Sequence, residues 1–182
     1  MPDYRRWHVP GGTYFFTVVT EQRVPIFQDP IGRELLGRAM RKVNEQRPFT
    51  TLAIVLLPEH IHCLWTLPPG DADFSDRWKS IKAEFTAGWL GAGGREVKPG
   101  RAKIARGERG VWQHRFWERA VRDGSELDAY CDYIHFNPVK HGHVSHPADW
   151  PWSSFRRFVR EGHYPADWGS REPDGLPEYA GE

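Results

Sequence analysis

Pro58-Glu59-His60-Ile61-His62-Cys63-Leu64-Trp65-Thr66-Leu67 is the stretch on which the reading of the fold turns. From His60 to Leu67 it is a short apolar run whose length and composition suit a buried strand better than a helix, and Pro58-Glu59 forms a tight connection into it. On a strand, residues i and i+2 project to one face. His60 and His62 therefore point together, while Ile61 and Cys63 point the other way. Two neighbouring neutral imidazoles make half of a metal site. The plain alternative is a pair of hydrogen-bonded or partly exposed histidines.

The elements on either side give that strand a place. Thr13 to Thr20 (TYFFTVVT) is rich in β-branched and aromatic residues and reads as a strand. Asp29 offers an N-cap with Pro30 at the first helical position, and Ile31, Leu35, Leu36, Ala39, Met40 and Val43 follow at helical spacing, which predicts a helix over 30–46. Phe49 to Leu57 is a second strand. Phe74, Trp78, Ile81 and Phe85 mark a second helix. Gly91 to Gly110 is Gly-rich and basic, hence a loop, and Val111 to Arg122 reads as a fourth strand. Ser125-Glu126-Leu127-Asp128 has the form of a capping box opening a third helix that stops at Pro138.

Strand, helix, strand, strand, helix, strand is the ferredoxin-like plan, here followed by one more helix, which bears tyrosines. The expectation is an α+β fold in which an antiparallel sheet carries both helices on one face and leaves the other open. Residues 1–168 read as one domain, with a basic arm at 1–12 and the basic Gly-rich loop at 91–110. Residues 169–182 read as an acidic, flexible tail. The segment after Val144, with Trp150-Pro151-Trp152-Ser153-Ser154-Phe155, is expected to pack back through its aromatics.

The chain's 182 residues are enough for one well-buried domain. A net charge of +1 by itself argues for no partner, but it is unevenly spread. Arg95 to Arg109 holds six basic residues against two acids, and Arg171 to Glu182 holds one Arg against four acids. The basic stretch is either a solvated insertion or a phosphate contact. Nine tryptophans exceed what a core of this size needs, so those left at the surface are candidate stacking platforms for unpaired bases. Cys63 and Cys131 make no disulfide framework and no C-x-x-C pair, which points to a reducing, cytoplasmic setting. Nothing approaches a transmembrane span or a signal peptide, and no membrane role is expected.

On the third helix, Leu127, Cys131 and Ile134 form the core-facing stripe. With Leu127 as zero, Tyr130 lies about 60° and Tyr133 about 120° from that stripe. Tyr130 is then the packing residue and Tyr133 the one presented to a site, one turn from Asn137, although periodicity alone leaves the reverse open.

Taken together, these motifs resemble the single-tyrosine HUH transposases, and within them the REP-associated tyrosine transposases. The resemblance is carried by Tyr4-Arg5-Arg6, Gly11-Gly12-Thr13-Tyr14-Phe15-Phe16-Thr17 and Pro58-Glu59-His60-Ile61-His62. Trp112-Gln113-His114-Arg115-Phe116-Trp117-Glu118, Tyr133-Ile134-His135-Phe136-Asn137-Pro138-Val139-Lys140-His141-Gly142 and Trp150-Pro151-Trp152-Ser153-Ser154 complete it. It implies that His60, His62 and Asn137 bind a divalent cation, Mg²⁺ or Mn²⁺, and that Tyr133 is the nucleophile. Two nitrogen ligands make manganese the better intrinsic fit, while abundance favours magnesium. The implied substrate is single-stranded DNA beside a hairpin, cut through a 5′-phosphotyrosine link in a bacterial, nucleoid-associated setting. The implied form is a monomer or a homodimer. Tyr4, Arg5, Arg6, Arg101, Lys103 and Arg106 are the candidate DNA contacts. Glu59 and Lys140 are candidates to assist.

Three other readings compete. The H-x-H isopeptidase pattern would use Asp73, but Gly70 stands where that pattern has serine. Metallo-β-lactamase-like hydrolases need Asp-His where this chain has Leu64-Trp65. The third is a DNA- or RNA-binding module on an inactive scaffold, which the basic segments would serve equally well.

Overall fold

A computed structural model describes residues 8–177 and Gly181. The Tyr4-Arg5-Arg6 arm lies outside the described residues. β1 (Thr13–Val19), α1 (Pro30–Gln46), β2 (Thr50–Leu56), β3 (His60–Thr66), α2 (Phe74–Gly91), α3 (Arg101–Ala105), β4 (Trp117–Ala120), α4 (Gly124–Lys140) and α5 (Phe155–Arg160) follow in order. The sheet order is β2-β3-β1-β4 and each neighbouring pair is antiparallel, as the ferredoxin-like plan requires. β3 thus lies between two partners, with its backbone groups paired on both sides.

The period of two divides the sheet cleanly. Tyr14, Phe16 and Val18 of β1 and Ile61, Cys63 and Trp65 of β3 form one core with Leu36 and Val43 of α1 and Trp78, Ile81 and Phe85 of α2. Asp29 caps α1 by accepting from Ile31 N at 2.8 Å, with Pro30 in its first turn. Asp73 caps α2 through Asp76 N and pairs with Arg47, so it belongs to the helix start and not to a site with the histidines. Beside it Arg77, only 2% exposed, spends its donors on the Asp71 carboxylate and on the carbonyls of Arg47, Pro48 and Asp73.

The other face is not open. Phe15, Ala53, Val55 and Leu64 form a second core there with Tyr130, Cys131, Tyr133 and Ile134 of α4. The expectation of a bare face failed because the α4 stripe is wider than Leu127, Cys131 and Ile134, and its tyrosines are part of the packing. Asp123, not Ser125, caps α4, accepting from Glu126 N at 2.9 Å. Nor does α4 stop at Pro138, which lies inside it. The helix runs on to Lys140, and two residues beyond it Gly142 (φ 69°) takes the left-handed conformation. Gly142 N donates to Val139 O and His143 N to Pro138 O, both at 2.9 Å, a Schellman closure. The basic stretch is also not wholly a loop, since α3 forms within it, and β4 is shorter than 111–122.

The segment after α4 locks that helix in place. Ser154 Oγ lies 2.8 Å from His135 Nε2 and also receives Ile54 N of β2. His135 Nδ1 lies 3.1 Å from the Tyr164 hydroxyl, which in turn donates to Asp132 at 2.8 Å. Arg157 donates to the Leu52 carbonyl at the β2 bulge. From the stretch expected as a flexible tail, Leu176 packs against the second core.

Burial, with a smaller contribution from Arg157, pushes the His135 imidazole down to about 3. The unfolded chain therefore takes up a proton near pH 6.5 that the folded chain refuses, and folding stability should fall as pH drops below that value, by up to about 1.4 kcal/mol per pH unit. Between pH 7 and 5, His135→Gln should lose less stability than the parent chain in urea unfolding. Parallel losses would remove His135 from the acid sensitivity.

Candidate active site

His60 and His62 are both fully buried on the α4 side of β3. Their Nε2 atoms face each other at 3.1 Å. Each ring is held from behind at its other nitrogen. Thr17 Oγ1 lies 2.8 Å from His62 Nδ1, because the β1–β3 register sets Thr17 opposite His62. The Glu59 carboxylate lies 2.9 Å from His60 Nδ1 and 3.1 Å from Arg23. The bond to His60 holds the Glu59 carboxyl below the usual range against the opposing effect of burial, with the Arg23 charge assisting. An ionised Glu59 fixes the His60 proton on Nδ1 and leaves a lone pair on Nε2.

Arg23 reaches Glu59 from a strained turn. Gln22 (φ 51°) and Arg23 (φ 53°) are both left-handed without being glycine. Thr20 holds that turn to the Glu59 carbonyl through both its N–H (2.9 Å) and its hydroxyl (3.0 Å).

α4 brings its two tyrosines to this face in different ways. Tyr130 stacks on Phe15, centroids 4.4 Å apart, as a packing residue does. The Tyr133 ring meets His62 edge-on at 5.3 Å, and Lys140 donates to its hydroxyl at 3.2 Å while lying 4.7 Å over its ring. Both tyrosines are 2% exposed, so burial does not distinguish them; their neighbours do. Asn137 is fully buried one turn beyond Tyr133, and the His141 ring stands 5.6 Å from His60. The structure thus collects His60, His62 and Tyr133 at one place, with Asn137 on the same helix. Of the two candidate helpers, Glu59 serves His60 and Lys140 serves Tyr133.

Three of the six basic residues of the 95–109 stretch are engaged with acids of the chain itself. Lys103, 12% exposed at its side chain, donates to Glu21 (2.7 Å) and to the Trp112 carbonyl (2.5 Å). Arg106 pairs with Glu108, and Arg109 with Glu96. Arg101 is exposed at the start of α3. Sequence reasoning missed Thr17, whose signal was a hydroxyl in the middle of a strand of aromatic and β-branched residues, and Arg23, which carried none.

With fold and geometry in view, the class is clear. Residues 8–137 match the family model described as Transposase IS200 like, a stretch that contains both histidines, Tyr133 and Asn137, and the chain belongs to that family. Within it the chain stands with the REP-associated tyrosine transposases. It is 43% identical over 175 residues to the REP-associated tyrosine transposase of Escherichia coli (strain K12), covering 96% of this chain and 94% of that one. A solved structure of a REP-associated tyrosine transposase bound to a REP hairpin superposes with a TM-score of 0.80 at 42% identity, covering 100% of this chain and 98% of the other.

Lys103 should prove to be a structural cation. Lys103→Met should cost about 1–3 kcal/mol in denaturant unfolding, since it strands the Glu21 carboxylate and the Trp112 carbonyl. Arg101→Gln should leave stability unchanged. Equal stability of both variants would return Lys103 to the surface set.

Proposed function

We propose that this chain cuts and rejoins single-stranded DNA beside a hairpin of the REP kind, with Tyr133 as nucleophile and His60 and His62 as ligands of a divalent cation. The observation that carries the reading is the pair of facing Nε2 atoms with the Tyr133 ring against one of them.

The donor set fits a cation. Two buried imidazoles, each fastened at Nδ1, converge at a separation one ion can bridge. Without a cation the contact needs a proton between the Nε2 atoms. His62 supplies it if its Nδ1 accepts from the Thr17 hydroxyl. With a cation on Nε2, His62 would carry its proton on Nδ1 and Thr17 Oγ1 would accept it, a role open to a hydroxyl because it can both donate and accept. Among the described residues no cluster of three or more His, Cys, Asp or Glu surrounds a metal position. The remaining ligands would be the Asn137 amide oxygen, phosphate oxygens and water, an oxygen-rich set that suits Mg²⁺ or Mn²⁺. A cation held there supplies Lewis-acid polarisation of the scissile phosphate.

The chain's own groups do the rest. The Tyr133 oxygen attacks phosphorus, forming the tyrosyl O–P bond as the P–O3′ bond breaks. The phenol proton departs and the 3′ oxygen takes one up. An ordinary tyrosine ionises near pH 10, and the Lys140 ammonium 3.2 Å from the hydroxyl favours the phenolate. Because the phosphotyrosine keeps the energy of the broken bond, a free 3′-hydroxyl can reverse the attack without a nucleotide cofactor. His60, His62 and Tyr133 are buried, so access of a phosphate requires the groups around them to rearrange.

The test is cleavage of hairpin-bearing single-stranded DNA with Mn²⁺ or Mg²⁺. Chelator, His60→Ala and Tyr133→Phe should each abolish it, whereas Tyr130→Phe should cut at near-normal rates. Thr17→Val should raise the metal concentration that cleavage needs by roughly 10- to 100-fold, as loss of a partner behind a ligating histidine does. Mass spectrometry of the trapped adduct should find DNA on Tyr133. Cleavage undiminished in excess chelator, or an adduct on Tyr130, would overturn the reading, and binding without cleavage by the parent chain would favour an inactive binding module.

A further inference from the structure

A strip of aromatic side chains leaves the candidate site and runs to the surface, and neither core accounts for most of it. His141 stands 5.6 Å from His60 and 6.2 Å from His143. His143 stacks on Trp150 at 5.2 Å with 26° between the rings. Trp150 meets Trp152 edge-on at 4.9 Å, and the Arg33 guanidinium lies 4.2 Å over the Trp152 ring. His141 and His143 are exposed, Trp150 is half-buried, and Trp152 is 39% exposed.

The backbone beneath these rings is fixed. The Schellman closure at Gly142 sets His141 and His143. Trp150 Nε1 donates to Leu56 O at 3.0 Å, and Leu56 N donates to Trp152 O at 2.8 Å, so the edge of β2 holds both tryptophans. Large rings held at the surface by their own backbone are preorganised for a ligand and lose little freedom when one binds.

We propose that His141, His143, Trp150 and Trp152, with Arg33, form the track for the unpaired DNA strand that adjoins the scissile phosphate. Bases stack on the rings and a backbone phosphate pairs with Arg33. The proposal rests on the nuclease reading of His60, His62 and Tyr133. Two observations select this occupant. The strip begins against His60, so a strand lying on it is continuous with the reacting phosphate. Aromatic faces accept any base, and a guanidinium beside them suits the backbone charge.

Fluorescence anisotropy with the full chain tests this against two DNAs, a hairpin with an unpaired extension and the same hairpin cut flush. His143→Ala/Trp152→Ala should weaken binding of the extended hairpin by roughly 10-fold or more, as loss of base stacking does, and leave the flush hairpin within about twofold. Trp152→Phe should restore much of the loss. An unchanged thermal midpoint would establish that the double variant is folded; a lowered one would move the test to the milder Trp152→Leu, for which the same selective loss is expected. Equal binding of the extended hairpin by parent and variant would overturn the track, as would equal weakening for both DNAs, which would make the strip a general DNA contact. The nuclease reading is judged separately by the Tyr133 adduct. An adduct in the parent chain with unaltered binding by the variant defeats the strip alone, and no adduct in the parent chain defeats the reading beneath it.

Discussion

The 3.1 Å approach of two buried imidazole nitrogens is the constraint around which the rest of this structure is arranged. Two lone pairs cannot face each other at that distance, and two imidazolium charges cannot be buried there together. One proton or one cation must lie between them. The protein decides which by what it places behind the rings: a carboxylate that fixes one proton and a hydroxyl that can give or take the other. The register of β1 on β3 supplies the hydroxyl, the bond to His60 itself holds the Glu59 carboxyl low, and Arg23, reaching from the strained turn at Gln22 and Arg23, adds a smaller contribution. Backbone strain near a functional site persists only where its surroundings over-determine it, and Thr20 provides two of the bonds that do so here.

Tyr133, the proposed nucleophile, comes from a different element and has to be brought to the histidines. Stacking of Tyr130 on Phe15 sets the rotation of α4 over the sheet, which leaves Tyr133, three residues on, at His62. The position of α4 along its axis is fixed by His135, whose two nitrogens reach Ser154 and Tyr164. A buried histidine bonded on both sides costs stability if it is protonated, but it specifies one docking geometry. Cys63 and Cys131 lie in opposite cores, and burial raises both thiols, that of Cys131 to about 12, so neither offers a competing nucleophile.

The sequence revealed most where a single period governs. Alternation along β3 separated the histidines from Ile61 and Cys63, and the α1 boundaries followed from Asp29, Pro30 and a 3.6-residue stripe. It misled where two signals overlapped. On α4 the apolar stripe and the tyrosines together cover a wide face, so Tyr133 looked exposed when it is only differently buried. Pro138 read as a stop because its ring bars a helix interior, but near a helix end the lost bond is a small defect that the Schellman closure accommodates. Charge in the 95–109 stretch was legible, whereas its pairing was not, since Glu21, which holds Lys103, lies 82 residues away. The Thr17–His62 pairing shares that difficulty: it exists only once the register of β1 on β3 is known.

Residues 150–164 join these separate requirements. On one side the segment extends the sheet at the β2 edge, through Leu56 N on Trp152 O and the bridge between Val55 and Ser153. On another, Ser154 and Tyr164 hold α4, and thus Tyr133, against the histidines. Trp152 stands out from it toward solvent, two residues before Ser154. A strand lying on Trp150 and Trp152 would press on the same short backbone whose hydrogen bonds set the nucleophile. On the proposed track, bases stacked there and the docking of α4 would share one short stretch of chain. The family match ends at Asn137, so Ser154 and Tyr164, which hold His135 from outside, lie beyond the stretch that carries the histidines and the tyrosine, while Tyr130 and Phe15 lie within it. The docking of α4 is thus shared between the matched domain and the segment that follows.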